Sequence, residues 1–385
     1  MSTIPPSDRS NVAPFIVMDM MRAANQAEAR GERIIHMEVG QPSAPPPRKV
    51  IEAAEAALRT DRIGYTEALG LPPLRERIAA HYRDAYGLDI GPERVVVTTG
   101  SSGAFVLAFL AAFDHGARVA LPVPGYPAYR NILAALGIEV APIHTRAENR
   151  WAPTVDELRQ CARDGGVAGL LIASPANPTG TMIARDALES LARHCSETGA
   201  WLVSDEIYHR LTYGMDETCA LSVSDDAIVI NSFSKYYCMT GWRIGWMIVP
   251  PSLIRPVECL AQNLFISPPT LSQHAALAAF DATEELDQRR TVYAANRELL
   301  LAELPGIGFE DFSPVDGAFY IYTNVSRFSN DSFEFAQKML KEAGVAATPG
   351  ADFDDVNGAH YLRLSFAGST AEMEEAVTRL RRWLG

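Results

Sequence analysis

The chain has 385 residues, of which 48% are hydrophobic and 21% charged, an ordinary globular balance that excludes global disorder. Its 34 Lys and Arg stand against 47 Asp and Glu, a net charge of −13, which excludes the basic field that general nucleic-acid binding needs. The length allows two to four domains, or one large domain with an appendage.

The opening residues 1–11 are polar and Pro-containing, with no apolar signal core. The longest apolar run, residues 104–113, is half of the roughly 20 residues a membrane span requires. The five Cys form no CxxC pair and their count is odd, which fits a reducing compartment. The eight His include no HExxH or HxH pair, which argues against a zinc hydrolase. The expectation is a soluble cytoplasmic protein. Only four residues are Lys (Lys49, Lys235, Lys338 and Lys341), so chemistry that needs a primary amine has four candidates.

Residues 14–30 have an amphipathic helical pattern. A cluster of Pro42, Pro45, Pro46 and Pro47 then reads as an extended linker. Helical spacing returns over 48–59 with Val50, Ile51, Ala54 and Leu58. From residue 94, short β-branched runs alternate with helical patterns. Strands are predicted at 95–98, 118–121, 139–143, 169–173, 201–204, 227–230 and 244–249. Several are apolar without alternation, as expected where both sheet faces are covered. The pattern predicts a mostly parallel seven-stranded α/β sheet with helices on both faces. The last two runs are too close for a helical crossover, so one strand there is expected to be antiparallel. A long helix is predicted over 283–304, stopped by Pro305-Gly306. Shorter strands (319–323, 361–366) and helices (332–343, 370–384) follow and make a smaller α+β part. The expected division is a large domain over 46–282 and a small one from 1–45 plus 283–385.

Ligands of parallel α/β sheets gather at the carboxyl ends of the strands. After residues 95–99 comes Gly100-Ser101-Ser102-Gly103, opening an apolar helix. Free N–H groups and hydroxyls there suit a phosphate. Alone, the pattern equally describes a Ser-capped helix start. After 169–173 comes Ser174-Pro175-Ala176-Asn177-Pro178-Thr179-Gly180, which either fixes the Asn177 amide or is simply a rigid turn. Asp205 ends an apolar strand. It is either a surface strand-end carboxylate or a buried one that needs a cationic partner. After 227–230 comes Asn231-Ser232-Phe233-Ser234-Lys235, with Arg243 eight residues on. A lysine among hydroxyls, aromatics and a second cation suits Schiff-base chemistry. Taken together, the loops ask for a ligand with a phosphate, a pyridinium N–H and an aldehyde. Pyridoxal phosphate carries all three.

The run Ser232-Phe233-Ser234-Lys235, with Met239-Thr240-Gly241-Trp242-Arg243-Ile244-Gly245 after it, resembles the cofactor-lysine signature of class I/II aminotransferases of fold-type I, the aspartate aminotransferase superfamily. Further matches lie at residues 38–42, 64–66, 124–127, 177–180, 205–208 and 362–366, in the order that family shows. The resemblance implies that Lys235 links the cofactor and then serves as general base and acid. It implies that Asp205 keeps the ring nitrogen protonated, and that Asn177 and Tyr208 bond the ring hydroxyl oxygen. It implies that Tyr126 stacks on the ring, and that Ser101, Ser102, Ser232 (or Ser234) and Arg243 hold the phosphate. Tyr65 matches a tyrosine that reaches the phosphate of a partner subunit, so a homodimer is implied. Arg363 matches the clamp of the substrate carboxylate, helped by Gly40 and Asn177. A lone Arg inside an apolar strand wants a carboxylate on its own account. Phe15, Ile16 and Phe265 take side-chain-pocket positions.

The implied reaction moves the amino group of an L-amino acid to a 2-oxo acid, ping-pong, through pyridoxamine phosphate. A β-eliminating C–S lyase on the same fold is the alternative enzyme. A non-catalytic effector-binding module of a transcription regulator would need a basic winged-helix segment, and the roughly 45 residues ahead of the fold carry no such pattern. One aspartate-using branch has a lysine where Ser102 stands, so its absence leans away from that branch, although an Arg from elsewhere could substitute.

Overall fold

A computed structural model describes residues 4–163 and 165–385. Seven strands make the main sheet: β1 (Val95–Thr98), β2 (Arg118–Val123), β3 (Glu139–His144), β4 (Gly169–Ala173), β5 (Trp201–Asp205), β6 (Ile228–Ser232) and β7 (Gly245–Ile248). Their spatial order is β1-β7-β6-β5-β4-β2-β3. All neighbours run parallel except β7, which is antiparallel to both β1 and β6. That is the reversal expected from the short connection between β6 and β7.

Inner strands such as β6 and β7 are buried at every position, so their apolar runs do not alternate. The edge strand β3 does alternate, burying Ala141 and Ile143 and exposing Glu139, Pro142 and His144. Successive residues feed opposite layers. Val95 and Val97 join one buried cluster and Val96 joins the other. The first cluster continues beneath a second sheet made of β8 (Glu310–Phe312), β9 (Tyr320–Asn324), β10 (Thr348–Pro349) and β11 (Tyr361–Ser365). That sheet is antiparallel, in the order β10-β11-β9-β8.

The chain ahead of the Pro cluster forms the helix Ile16–Ala29 and a short strand, Ile35–His36, that pairs in parallel with Val345–Ala346. The helix predicted over 332–343 is an α-helix only through Lys338. A π-helical turn, Met339–Ala343, follows and ends at Gly344, whose φ of 64° is the left-handed closure glycine adopts readily. Among the described residues no helix is long and apolar enough to cross a membrane.

Candidate active site

The carboxyl ends of the strands β1, β4, β5 and β6 face one cleft, closed from the other side by Gly40, Tyr320 and Arg363. Asp205 is the last residue of β5 and is buried. Its carboxylate accepts the hydroxyl proton of Tyr129 and the Ile207 amide at 3.0 Å. Burial pushes this carboxyl up to about 6, against those two donors and the nearby Lys235 ammonium. Among the described residues, no protein cation is in direct contact with this carboxylate. A hydroxyl and an amide hold the carboxylate, and Lys235 acts on it only through its field.

Lys235 follows β6 and donates from Nζ to the Gly40 carbonyl at 2.5 Å. Desolvation in the cleft lowers its ammonium to about 8, and the positive fields of Arg363 and Arg243 act in the same direction. Arg243 bonds the Thr240 carbonyl at 2.9 Å, and its other terminal nitrogen lies against Gly100. Gly100 has a φ of +67°, and an added Cβ would come 2.3 Å from that nitrogen. The helix Gly100–Ala112 thus opens on a residue that only glycine fits, with Ser101 and Ser102 facing the cleft. Ser234 also faces it. Ser232 stands behind, its Oγ 2.9 Å from the Ser234 Oγ and donating to the Ile244 carbonyl at 3.0 Å.

Arg363 projects from β11 and is buried. It donates to Asn177 Oδ1 at 2.8 Å, to Thr348 Oγ1 at 3.1 Å and to the Glu38 carbonyl. The rings of Tyr320 and Phe353 lie 4.3 and 4.8 Å from its guanidinium carbon. Its Nε is buried without a partner, a donor in wait for an acceptor. Tyr126 precedes the helix Pro127–Leu136 and packs edge-on against Phe15 and Tyr129. Tyr208 lines the cleft with its ring centroid 5.6 Å from Lys235 Nζ.

The fold thus brings together Gly40, Ser101, Ser102, Tyr126, Asn177, Asp205, Tyr208, Ser234, Lys235, Arg243 and Arg363. Phe15 joins them, whereas Ile16 spends its amide on Asp352 and does not line the cleft. Tyr65 and Phe265 lie outside it, on neighbouring loops joined by the Thr66 amide and the Ser267 hydroxyl at 3.4 Å. Tyr65 is 84% exposed in the single chain. Sequence reasoning missed Val17, Met18, Tyr129 and Tyr320. Tyr129 carried a signal, one helical turn after Tyr126 on a helix started by Pro127. For Tyr320 the signal is the strand register. Tyr322 pairs with Arg363, which puts Tyr320 diagonally beside it on the same face.

These residues fit pyridoxal phosphate. A guanidinium and a glycine-opened helix start form an anion cradle, a buried carboxylate stands apart from it, and a primary amine that sheds its proton near pH 8 lies between. Residues 32–380 match the family model "Aminotransferase class I and II". The chain is 49% identical over 380 residues to a valine–pyruvate aminotransferase of Mycobacterium tuberculosis, covering 98% of this chain and 97% of that one. A crystal structure of an aminotransferase from Mycobacterium tuberculosis superposes with a TM-score of 0.97 at 48% identity, covering 99% of both chains. An aspartate aminotransferase from Thermus thermophilus with maleate superposes with a TM-score of 0.93 at 30% identity, covering 99% of this chain and 100% of that one. The chain belongs to the class I and II aminotransferases, pyridoxal-phosphate enzymes that move an amino group between an amino acid and a 2-oxo acid.

Proposed function

We propose that this enzyme takes its amino group from an amino acid with a short or branched apolar side chain, valine among them, and passes it to pyruvate. One observation carries this reading. The cations lining the cleft, among the described residues, are Lys235, Arg243 and Arg363, and each has work already. None is left for the distal carboxylate of a dicarboxylic donor, and a buried carboxylate without a partner is costly. The remaining wall includes Phe15, Val17, Met18, Val39 and Ile207, which suits an apolar side chain. The name of the Mycobacterium relative gives valine and pyruvate, in agreement.

Bound pyridoxal phosphate supplies the aldehyde and the electron sink for loss of the Cα proton. Lys235 would hold the cofactor covalently, and its amine would then accept and return the proton at Cα. Asp205 would hold a proton on the ring nitrogen, with Tyr129 fixing its orientation. Asn177 and Tyr208 would bond the ring hydroxyl oxygen, and Tyr126 would cover the ring face. Arg243, Ser101, Ser102 and Ser234 would take the phosphate, with Ser232 bracing Ser234. Arg363 would clamp the substrate carboxylate, helped by Asn177 and the Gly40 backbone.

The active unit would be a cytoplasmic homodimer in which Tyr65 reaches the partner's phosphate site. The exposed Ile63, Tyr65 and Ile266 on two adjoining loops, with Leu264 at the end of the helix before the second, support a covered face there. The chain would divide into a large domain over 46–282 and a small one from 1–45 plus 283–385. The pairing of Ile35–His36 with Val345–Ala346 supports that division. A donor panel with pyruvate as acceptor tests the substrate. Valine should exceed aspartate in kcat/KM by at least about tenfold, the scale of one unpaired buried charge. Aspartate as the best donor would overturn the reading.

A further inference from the structure

The hydroxyl oxygens of Tyr208 and Tyr320 lie 2.6 Å apart. Both side chains are buried, and neither oxygen bonds any other described group. Two hydroxyls bring two protons, and the bond between them uses one. The arrangement therefore leaves one proton without a protein acceptor.

Surroundings decide which hydroxyl gives. The Arg363 guanidinium carbon lies 4.3 Å from the centre of the Tyr320 ring, closer than the 5.6 Å that separates Lys235 Nζ from the centre of the Tyr208 ring. A cation over a phenol ring makes its hydroxyl the better donor. On its other side the Tyr320 oxygen is walled by Gly40, where an added Cβ would come 1.7 Å from it. Gly40 in turn offers its carbonyl to Lys235. Tyr208 is left with its own proton turned away from Tyr320, on a side chain that lines the cleft beside Asp205 and Lys235.

We propose that Tyr320 is a positioning residue that donates its hydroxyl proton to Tyr208, so committing the Tyr208 proton to the cleft, while its ring seats Arg363. One side chain then ties the contact to the cofactor ring to the clamp on the substrate carboxylate. The inference rests on the roles given above to Tyr208 and Arg363. It also accounts for Gly40, since any side chain there would displace the Tyr320 hydroxyl.

The test uses the holoenzyme and separates ring from hydroxyl. Tyr320→Phe keeps the ring and removes the oxygen, whereas Tyr320→Leu removes both. Isovalerate, an unreactive branched monocarboxylate, probes Arg363, and the pH midpoint of the bound cofactor's visible band probes Tyr208. Weaker donation from Tyr208 leaves more charge on the ring oxygen, which holds the neighbouring proton more strongly, so the midpoint rises. Tyr208→Phe should raise the midpoint. Tyr320→Phe should raise it by about 0.5 pH unit, the scale of one neutral hydrogen bond lost at second hand, with isovalerate affinity kept within about twofold. Tyr320→Leu should raise the midpoint and weaken isovalerate roughly fivefold. If Tyr208→Phe moves the midpoint and Tyr320→Phe does not, Tyr320 only packs and the proposal is overturned. An unchanged isovalerate affinity in Tyr320→Leu overturns the seating of Arg363. If Tyr208→Phe also leaves the midpoint in place, the assignment of Tyr208 itself falls, and the relay with it.

Discussion

An ammonium that loses its proton near pH 8 gives a neutral amine at only mildly alkaline pH, and Lys235 owes this to its desolvated seat and two neighbouring guanidinium groups. Its capture of cofactor by the apoenzyme should accelerate as pH rises from 7 to 9, with a midpoint near about 8, because only the neutral amine attacks. Borohydride should fix the cofactor to Lys235 alone. Peptide mapping that finds the label on Lys49, Lys338 or Lys341 would contradict the assignment. Asp205 has the opposite shift, raised to about 6 by burial and restrained by the Tyr129 hydroxyl. Tyr129→Phe removes a donor to the carboxylate, so the acid limb of the pH–rate profile should move to higher pH. A limb that stays or moves down would show that Tyr129 does not support Asp205. Asp205→Ala should slow turnover by orders of magnitude even with cofactor saturating, since the ring's positive charge depends on it. Lys235, Asp205 and Arg243 were legible in the sequence because each lies at the sheet's carboxyl edge, where Asp205 ends β5, Lys235 follows β6 and Arg243 precedes the antiparallel β7. Tyr320 was not, because its importance comes from a cross-strand register, and register is a property of two chain segments at once.

At the scale of elements, the inner apolar runs were legible because burial on both sheet faces leaves no alternation to confuse, and the edge run Glu139–His144 because it alternates. Their ends were less so. The strand predicted at 227–230 runs instead over Ile228–Ser232, since ladder pairing carries it past the last apolar residue to the polar Asn231 and Ser232. The helix predicted over 14–30 begins at Ile16 for a reason outside the local sequence. Phe15 offers no side-chain cap, and the carboxylate of Asp352 takes the amides of Ile16 and Val17 at 3.1 Å each. That contact holds Phe15, Val17 and Met18 over the cleft. Asp352→Ala should cost about 1 kcal/mol of stability, as loss of a helix cap does. It should also raise KM for valine severalfold with little change in kcat, measured by denaturant titration and steady-state kinetics. A fall in kcat at unchanged KM would mean that the wall is held by something else.

For the molecule as a whole, alternation of strand and helix was enough to give the layered architecture, whereas the second sheet was only partly visible. Its strands Glu310–Phe312 and Thr348–Pro349 are three and two residues long, too brief for a period to register. The proposed dimer face around Tyr65 belongs to this scale too, and mixed dimers test it. Chains of Tyr65→Ala and Lys235→Ala, each impaired alone, should regain activity when co-expressed. One site per mixed dimer then has an intact Lys235 and an intact Tyr65 from the other chain. No recovery, with mixed dimers demonstrated by mass, would contradict a shared site.

Transfer of an amino group from an apolar amino acid by Lys235, Asp205 and Arg363 is read in a single half-reaction. Holoenzyme given valine and no acceptor should lose its yellow colour within a single turnover as the cofactor passes to its amino form, and pyruvate should restore it. Arg363→Lys should weaken the half-reaction, because one ammonium cannot reproduce a planar two-bond clamp and each charged hydrogen bond lost costs roughly 1.5–3 kcal/mol. A yellow colour that persists through a broad panel of amino acids, while a cysteine conjugate yields pyruvate and ammonia, would contradict amino-group transfer and make the enzyme a lyase.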